Sequence, residues 1–178
     1  MTTRHDRKVS ILDVMGPVMV GPSSSHTAGT ARLGRVAREI LDEDPVAVHF
    51  SEEDLGDVHP NTVRIEIRGK TREGEIVGSS IGGGVIEVFK INGFQTRFKG
   101  DSPTLLLFYR DRPGMISEVT QIIADEGINI ASLSCSRKQR GKDAFMQIDV
   151  DSPLSKAALE RICSIGDVAR AQYLDRIP

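Results

Sequence analysis

Cysteine and aromatic residues are scarce in this sequence. Cys135 and Cys163 are its two cysteines in 178 residues, tryptophan is absent, and aromatic residues make up 4% of the chain. Two cysteines cannot build a disulfide framework, and their spacing is not that of a metal site. We therefore expect a cytoplasmic protein, in which any multi-cysteine cluster would be held by another chain.

Long apolar runs and an excess of one charge are missing as well. The longest apolar runs, of which 105–109 is typical, have the length of a strand and not of a membrane span. Asp13 and Pro17 interrupt the apolar part of the N-terminal stretch, and no cleavage pattern of small residues follows, so we expect no signal peptide. The formal net charge of -2 provides no field that would attract nucleic acid or a membrane surface.

The segment 101–103, Asp-Ser-Pro, separates two halves with different patterns, which we interpret as domains over 1–100 and 101–178. In the second half, a strand over 104–111 precedes a turn in which Asp111 is suited to the cap region of the following helix and Pro113 to its first position. This helix ends at Gly127. A strand, a hairpin loop and a second strand follow; in the latter, Ala144 to Val150 alternate as if one face were buried. A helix and a last strand over 168–174 complete a βαββαβ, ferredoxin-like order.

The first half contains one clear helical pattern. Five apolar residues at helical spacing predict a helix from about Ser25 to Asp42, and they are Leu33, Val36, Ala37, Ile40 and Leu41. Short alternating segments after Pro45 predict strands around a triple glycine. We therefore expect an α/β domain in front of the ferredoxin-like unit.

The stretch GPSSSHT, residues 21–27, leads into that helix. Its serines are suited to capping the helix, and the first turn offers unpaired N–H groups at the positive end of the helix dipole. His26 lies where a cation is disfavoured, so its neutral form is expected. A P-loop is excluded because no Gly-Lys-Ser/Thr follows, and the context of a serine hydrolase is missing. Either a helix cap or a site for a small anionic ligand accounts for these residues.

The segment 104–177 resembles the ACT domain, an amino-acid-sensing module, through its strand, D-R-P-G, helix and G-I-N-I in that order. The resemblance implies that an amino acid binds where the first strand meets the first helix. Its candidate residues are Asp111, Arg112, Pro113, Gly114 and Asn129. A Pro-Gly turn lets backbone N–H groups approach a carboxylate at a helix N-terminus. Alternatively these residues only build the turn. Many ACT domains bind no ligand, so the resemblance does not by itself require one.

From about Val9 onward the chain resembles the β domain of iron–sulfur-dependent L-serine dehydratase, which ends in an ACT domain in the bacterial two-chain form. The motifs are MGPVMVGPSSSHTAGTARLGRVAREI, HPNTVRIEI and SIGGGVIEVFKINGF. The resemblance implies deamination of L-serine to pyruvate and ammonia with a [4Fe–4S] cluster, which a separate alpha chain must hold because two cysteines cannot. It also implies that the active-site cleft is lined by Ser24, Ser25, His26 and Thr27.

The same resemblance concerns the segment HPNT. It implies that His59, Asn61 and Thr62 lie near a domain interface, where a second serine is sensed. As an alternative reading, HPNT is a turn into a strand in which Asn61 satisfies backbone groups. The glycines of SIGGGVI similarly indicate either positive φ angles and close backbone approach or a tight bend between strands.

The chain departs from this family by an internal shortening. A Gly-rich stretch that carries a histidine of the active-site neighbourhood is missing between Phe50 and His59. Two hypotheses therefore stand. The chain is the beta subunit of a serine dehydratase, inactive alone and active with a cluster-bearing alpha chain, or it is a non-catalytic module that senses an amino acid. An exposed edge of the ACT sheet makes an ACT-mediated homodimer plausible.

Overall fold

The computed structural model describes residues 24–52 and 62–177, with the side chains of all of these except Ser24, Ser25, His26 and Glu52. The chain divides into two compact units, Met1–Gly93 and Phe94–Pro178. The domain ranges 1–100 and 101–178 stay a prediction, because the compactness of a unit does not test where a domain begins.

The first unit places one helix on an antiparallel sheet. Its helix α1 spans Ser24–Leu41, and its strands are β1 (Ala47–Glu52), β2 (Thr62–Arg68), β3 (Glu73–Gly82) and β4 (Val85–Ile91). These four strands pair in chain order, each antiparallel to the next. The predicted apolar stripe of α1 is confirmed, since all five of its residues are fully buried.

Glycines bring α1 close to β3. A Cβ added to Gly78 would lie 2.6 Å from Cδ2 of Leu33, and one added to Gly29 would lie 2.0 Å from Oγ of Ser80. Because side chains alternate along a strand, the same face of β3 meets the helix at Ile76, Gly78 and Ser80. The close approach fixes the N-terminal half of α1 over the end of β3.

The second unit has the predicted ferredoxin-like order. After β5 (Phe94–Phe98) come β6 (Thr104–Arg110), α2 (Met115–Asp125), β7 (Ile130–Arg137), β8 (Asp143–Val150), α3 (Lys156–Cys163) and β9 (Val168–Leu174). The last four strands form an antiparallel sheet in the order β7-β8-β6-β9. The core between this sheet and the two helices includes Leu107, Val119, Met146 and Ile162.

The prediction of one buried face is wrong for β8. Phe145 and Gln147, on the face away from the helices, are 1% and 0% exposed. Phe94 of β5 covers this face, because its ring stacks on Phe145 at 5.8 Å between centroids and meets the ring of Phe108 at 6.1 Å. Alternation shows which residues share a face, but it does not show that a strand from outside the motif covers the second one.

Among the described residues, no helix combines the length and the apolar character that a membrane crossing requires.

Candidate functional site

The first turn of α1 consists of the four residues that the sequence singles out, Ser24, Ser25, His26 and Thr27. Thr27 is half-buried. The first turn of an α-helix exposes N–H groups without an intrahelical partner, and the helix dipole adds positive potential there. Since α1 has no acidic residue in its first turn, no carboxylate of the helix itself compensates this potential. The geometry thus suits a small anionic group.

The triple glycine forms the turn between β3 and β4 beside this helix. Gly82, Gly83 and Gly84 all have positive φ, at 96°, 62° and 76°, which explains why the turn consists of glycine. Nη1 of Arg32 donates a hydrogen bond to the carbonyl oxygen of Gly84 at 2.8 Å. A Cβ added to Gly84 would lie 3.7 Å from Cβ of Ala28. The turn is therefore fixed against the second and third turns of α1.

Of the HPNT residues, Thr62 is described, whereas His59 and Asn61 lie outside the described residues. Thr62 begins β2 and is 5% exposed. Its Oγ1 lies 2.5 Å from Oγ of Ser79, its cross-strand neighbour, so the two hydroxyls share a buried hydrogen bond. The role of Thr62 in ligand binding stays a prediction; its hydroxyl joins β2 to β3.

In the second unit, Asp111 faces the β7–β8 hairpin. Its carboxylate accepts hydrogen bonds from the Gly141 N–H at 3.0 Å and from Nη1 of Arg137 at 2.9 Å. These contacts hold the pKa of Asp111 below its ordinary value, and the hydrogen bond from the Gly141 N–H contributes more than that from Arg137. The expectation that Asp111 lies in the cap region of the helix is wrong, because Gly114 is the N-cap of α2, with φ 87° and no side-chain cap.

Pro113 is not the first helical residue either, since it precedes the N-cap. Arg112 holds this loop in place by donating two hydrogen bonds to Glu118, from Nη1 to Oε1 at 2.7 Å and from Nη2 to Oε2 at 2.8 Å. Its Nε lies 3.2 Å from Oδ2 of Asp167, which directly precedes β9. A bidentate guanidinium–carboxylate pair is geometrically specific, so the loop at the α2 N-terminus is well defined.

Asn129 lies at the other end of the sheet of the second unit. Its Nδ2 donates to Oδ2 of Asp151 at 2.9 Å, and the Asp151 N–H donates to its carbonyl oxygen at 3.1 Å. Asp151 follows the end of β8, whereas Asp111 bonds the hairpin that precedes this strand. The structure thus brings Asp111, Pro113 and Gly114 together but places Asn129 apart from them within one chain.

A cleft of about 570 Å³ opens beside the β7–β8 hairpin, at the end of the sheet where Asp111 lies. Sequence reasoning missed this cleft. It has an aromatic wall of Phe94, Phe108 and Tyr109, and Ala144, Val168 and Ala169 also line it. Its charged lining residues are Arg110, Lys142, Asp143 and Asp167. Because the lining residues lie on or directly before four strands that are distant in sequence, β5, β6, β8 and β9, no local sequence motif predicts the cleft. Charges of both signs beside an apolar wall suit an amino acid zwitterion.

The two cysteines lie in the second unit, Cys135 on β7 and Cys163 at the end of α3, and both are exposed free thiols. Within 24–52 and 62–177, the structure shows no group of three or more His, Cys, Asp or Glu residues suited to a metal ion. A [4Fe–4S] cluster needs more thiolates than this chain has, so its residues do not fit that group.

Comparison with known proteins gives consistent results for both units. Residues 104–167 match the ACT domain family. The chain is 32% identical to the probable L-serine dehydratase beta chain of Bacillus subtilis, with 89% of this chain and 94% of that protein covered. It is 29% identical to the L-serine dehydratase beta chain of Peptoniphilus asaccharolyticus, with 93% and 98% covered.

The chain is also 28% identical to the D-3-phosphoglycerate dehydrogenase of Methanocaldococcus jannaschii over 118 residues, which are 66% of this chain and 22% of that protein. The alignments with the two beta chains span 208 and 217 residues, more than the 178 of this chain. Both relatives therefore carry residues that this chain lacks, in agreement with an internal shortening.

Proposed function

The chain belongs to the family of L-serine dehydratase beta chains, and we propose that it is the beta subunit of an L-serine ammonia-lyase that converts L-serine to pyruvate and ammonia together with a cluster-bearing alpha chain. The observation that carries this proposal is the similarity to two beta chains over nearly their whole length. The sequence order of a helix-led α/β unit and an ACT unit supports it.

In this proposal the first turn of α1 contributes to the active site. Its N–H groups and positive potential suit the carboxylate of serine, and the predicted residues Ser24, Ser25, His26 and Thr27 supply polar side chains beside it. The Gly82–Gly84 turn is tied to the middle of the same helix through the Arg32 hydrogen bond to Gly84. The [4Fe–4S] cluster is assigned to the alpha chain, because the cysteines here do not suffice for it.

The test is anaerobic co-expression with the alpha chain of the same organism, followed by cluster reconstitution and an assay of pyruvate from L-serine. The chain alone should release no pyruvate, and the complex should release it. His26→Ala should lower turnover of the complex by about 100-fold, the effect of losing one polar group that acts on the reacting molecule. Arg35→Ala is the matched control, because Arg35 is an exposed residue farther along the same helix.

Two results would contradict the proposal. Pyruvate release by the purified chain alone would show that no alpha chain is required. A stable complex with an intact cluster that lacks turnover would show that this shortened chain does not support catalysis. A complex in which His26→Ala and Arg35→Ala are equally active would remove the α1 first turn from the active site while leaving the subunit role intact.

The cleft of the ACT unit favours a second candidate function, a non-catalytic module that senses an amino acid. In such a complex, Arg110 and Lys142 would bind the carboxylate of the ligand, Asp143 its ammonium group, and the Phe108 ring its side chain. Arg110 and Asp143 are cross-strand neighbours on β6 and β8, so the two charges stand side by side at the cleft. Within the described residues, Lys142 and Asp143 form no ion pair that would occupy them.

Calorimetry tests the second candidate, with L-serine and L-phenylalanine as a small and an aromatic probe. Binding to the wild-type chain that Arg110→Ala weakens by about tenfold or more, the loss of one charge-assisted hydrogen bond, would support it. Lys156→Ala is the control, since Lys156 is an exposed cation on α3, outside the cleft. Binding that both variants leave unchanged would place the ligand elsewhere, and absence of heat with either probe would argue against sensing of these two amino acids.

A further inference from the structure

Large apolar side chains are exposed at few places in the described part of the chain, and two of these places adjoin the same turn. Ile81 and Val85, each 37% exposed, stand on either side of the Gly82–Gly84 turn. The remaining exposed large apolar residues are Val46, Ile116 and Leu133. We call the segment 81–85 the hairpin tip. Exposed apolar side chains that cluster are typical of an interaction surface, whereas single ones are normal.

The hairpin tip is open at its apex and held at its base. Within 24–52 and 62–177, no atom would lie within 4 Å of a Cβ added to Gly82 or Gly83, so these residues leave space for another molecule. At its base, Gly84 is held to α1 by the hydrogen bond from Arg32, and a Cβ added to Gly84 would lie only 3.7 Å from Cβ of Ala28. A preformed surface loses little conformational entropy when a partner binds, which favours docking.

The position of the hairpin tip beside α1 indicates which chain would bind to it. Its base lies against Ala28 and Arg32, in the second and third turns of α1, next to the first turn, where we propose that the substrate binds. Since this chain cannot hold the cluster, the chain that does must approach the same end of α1 for both to act on one substrate. We infer that the hairpin tip is the docking surface for the cluster-bearing alpha chain, with Ile81 and Val85 buried in an apolar depression of that chain. This inference rests on the proposed function.

The test measures binding of the purified alpha chain to variants of the hairpin tip. Ile81→Asp and Val85→Asp each place a charge in the proposed interface, and each should weaken binding by about 100-fold, since burying an unpaired charge costs several kcal/mol. Val46→Asp is the matched control. Val46 is 43% exposed in the same unit, but its N–H bonds the Arg68 carbonyl, at the opposite end of β2 and β3.

Ile81→Ala and Val85→Ala guard against misfolding, because they remove apolar surface without adding charge. Each should weaken binding by about tenfold, and the loss should be overcome by excess alpha chain, with pyruvate formation returning to the wild-type rate. That recovery separates docking from catalysis, because a residue needed for the chemistry would lower turnover even in the saturated complex.

Three results would overturn the inference. Equal affinity of the tip variants and Val46→Asp would exclude the hairpin tip from the interface. Turnover that stays low at saturating alpha chain would assign the tip to catalysis. Loss of a homodimer in sedimentation, with unchanged binding of the alpha chain, would show that the tip contacts a second copy of this chain. If the wild-type chain binds no alpha chain at all, the proposed function itself fails, and this inference fails with it.

Discussion

Gly29 of α1 lies directly against Ser80 of β3, so that a Cβ on Gly29 would come within 2.0 Å of the serine Oγ and 2.7 Å of its Cβ. Ser80 is 2% exposed, and its hydroxyl has no hydrogen-bond partner within the described residues. The helix therefore lies closer to the strand than a residue with a Cβ at position 29 would allow. This contact determines how far the first turns of α1 stand above the sheet, and hence where the proposed substrate-binding residues lie.

Gly29→Ala should destabilise the chain. In an exposed helix this substitution is favourable by about 1 kcal/mol, because alanine has the higher helix propensity. Here overpacking opposes it and should prevail, with a net loss of about 1–3 kcal/mol in the free energy of unfolding. Neither Oγ nor Cβ of Ser80 lies at the end of a long flexible side chain that moves away easily. Urea-induced unfolding measures the change.

The double variant Gly29→Ala with Ser80→Gly is the control. It removes both close atoms and leaves the Cα of residue 80 at 3.3 Å, a distance to which small shifts can adapt. Most of the lost stability should therefore return. If Gly29→Ala alone were neutral or stabilising, this result would contradict the close contact between Gly29 of α1 and Ser80 of β3.

The sequence predicts the orientation of α1 but not this contact. A spacing of three and four residues identifies the buried stripe of α1 because every third or fourth side chain shares a face. The height of the helix above the sheet depends instead on which small residues of a distant strand lie beneath it. Gly29 and Ser80 are both small and unremarkable in their local patterns, so their pairing becomes visible only in three dimensions.

The same reasoning applies to Phe145, which the alternation of β8 assigns to the face away from the helices. The assignment is correct for the face and wrong for the burial, because the rings of Phe94 and Phe108 lie at 5.8 and 5.1 Å from that of Phe145. Phe145→Ala should therefore behave as a core substitution and cost about 3–5 kcal/mol of stability. Chemical denaturation of the purified chain measures this loss.

Leu133→Ala is the matched control for Phe145→Ala, because Leu133 is a large apolar residue on the adjacent strand β7 but is 39% exposed. It should change the free energy of unfolding by about 0.5 kcal/mol or less. Similar small values for both variants would show that the outer face of the ACT sheet is not packed as the structure describes.

For the candidate site, sequence reasoning identifies the loop and misassigns the roles within it. Asp111 precedes a helix in sequence, and local statistics therefore favour a cap. In three dimensions the nearest donors to its carboxylate belong to the β7–β8 hairpin, Gly141 and Arg137, which are distant in sequence. A carboxylate accepts from the donors that the fold brings close, and this competition cannot be predicted from neighbours in the chain.

The contacts of Asp111 make a prediction for pH. Because its pKa is lowered from 3.8, the stabilisation that it provides is present above that value and is lost as the pH falls through the lower folded-state pKa. The amide signal of Gly141, followed by NMR, should therefore shift with a midpoint below pH 3.8. In Asp111→Asn this transition should disappear. A midpoint at or above 3.8 in the wild-type chain would contradict the hydrogen bonds assigned to this carboxylate.

Tyr109 makes the corresponding prediction at alkaline pH. It is 6% exposed, and its burial, together with the neighbouring Cys135 and Asp111, raises its pKa to about 12. A raised pKa means that the folded chain favours the neutral phenol. The contribution of Tyr109 to the free energy of unfolding is therefore complete below the ordinary pKa of 10 and is lost as the pH rises from 10 through 12.

Two pKa units correspond to about 2–3 kcal/mol. Tyr109→Phe keeps the ring but cannot ionise, so its stability should fall less than that of the wild-type chain over this range, by about that amount. Denaturant unfolding at a series of pH values, with tyrosinate absorbance to locate the ionisation, measures both quantities. Parallel stability curves for the two chains would mean that the Tyr109 hydroxyl is in contact with water in the folded state.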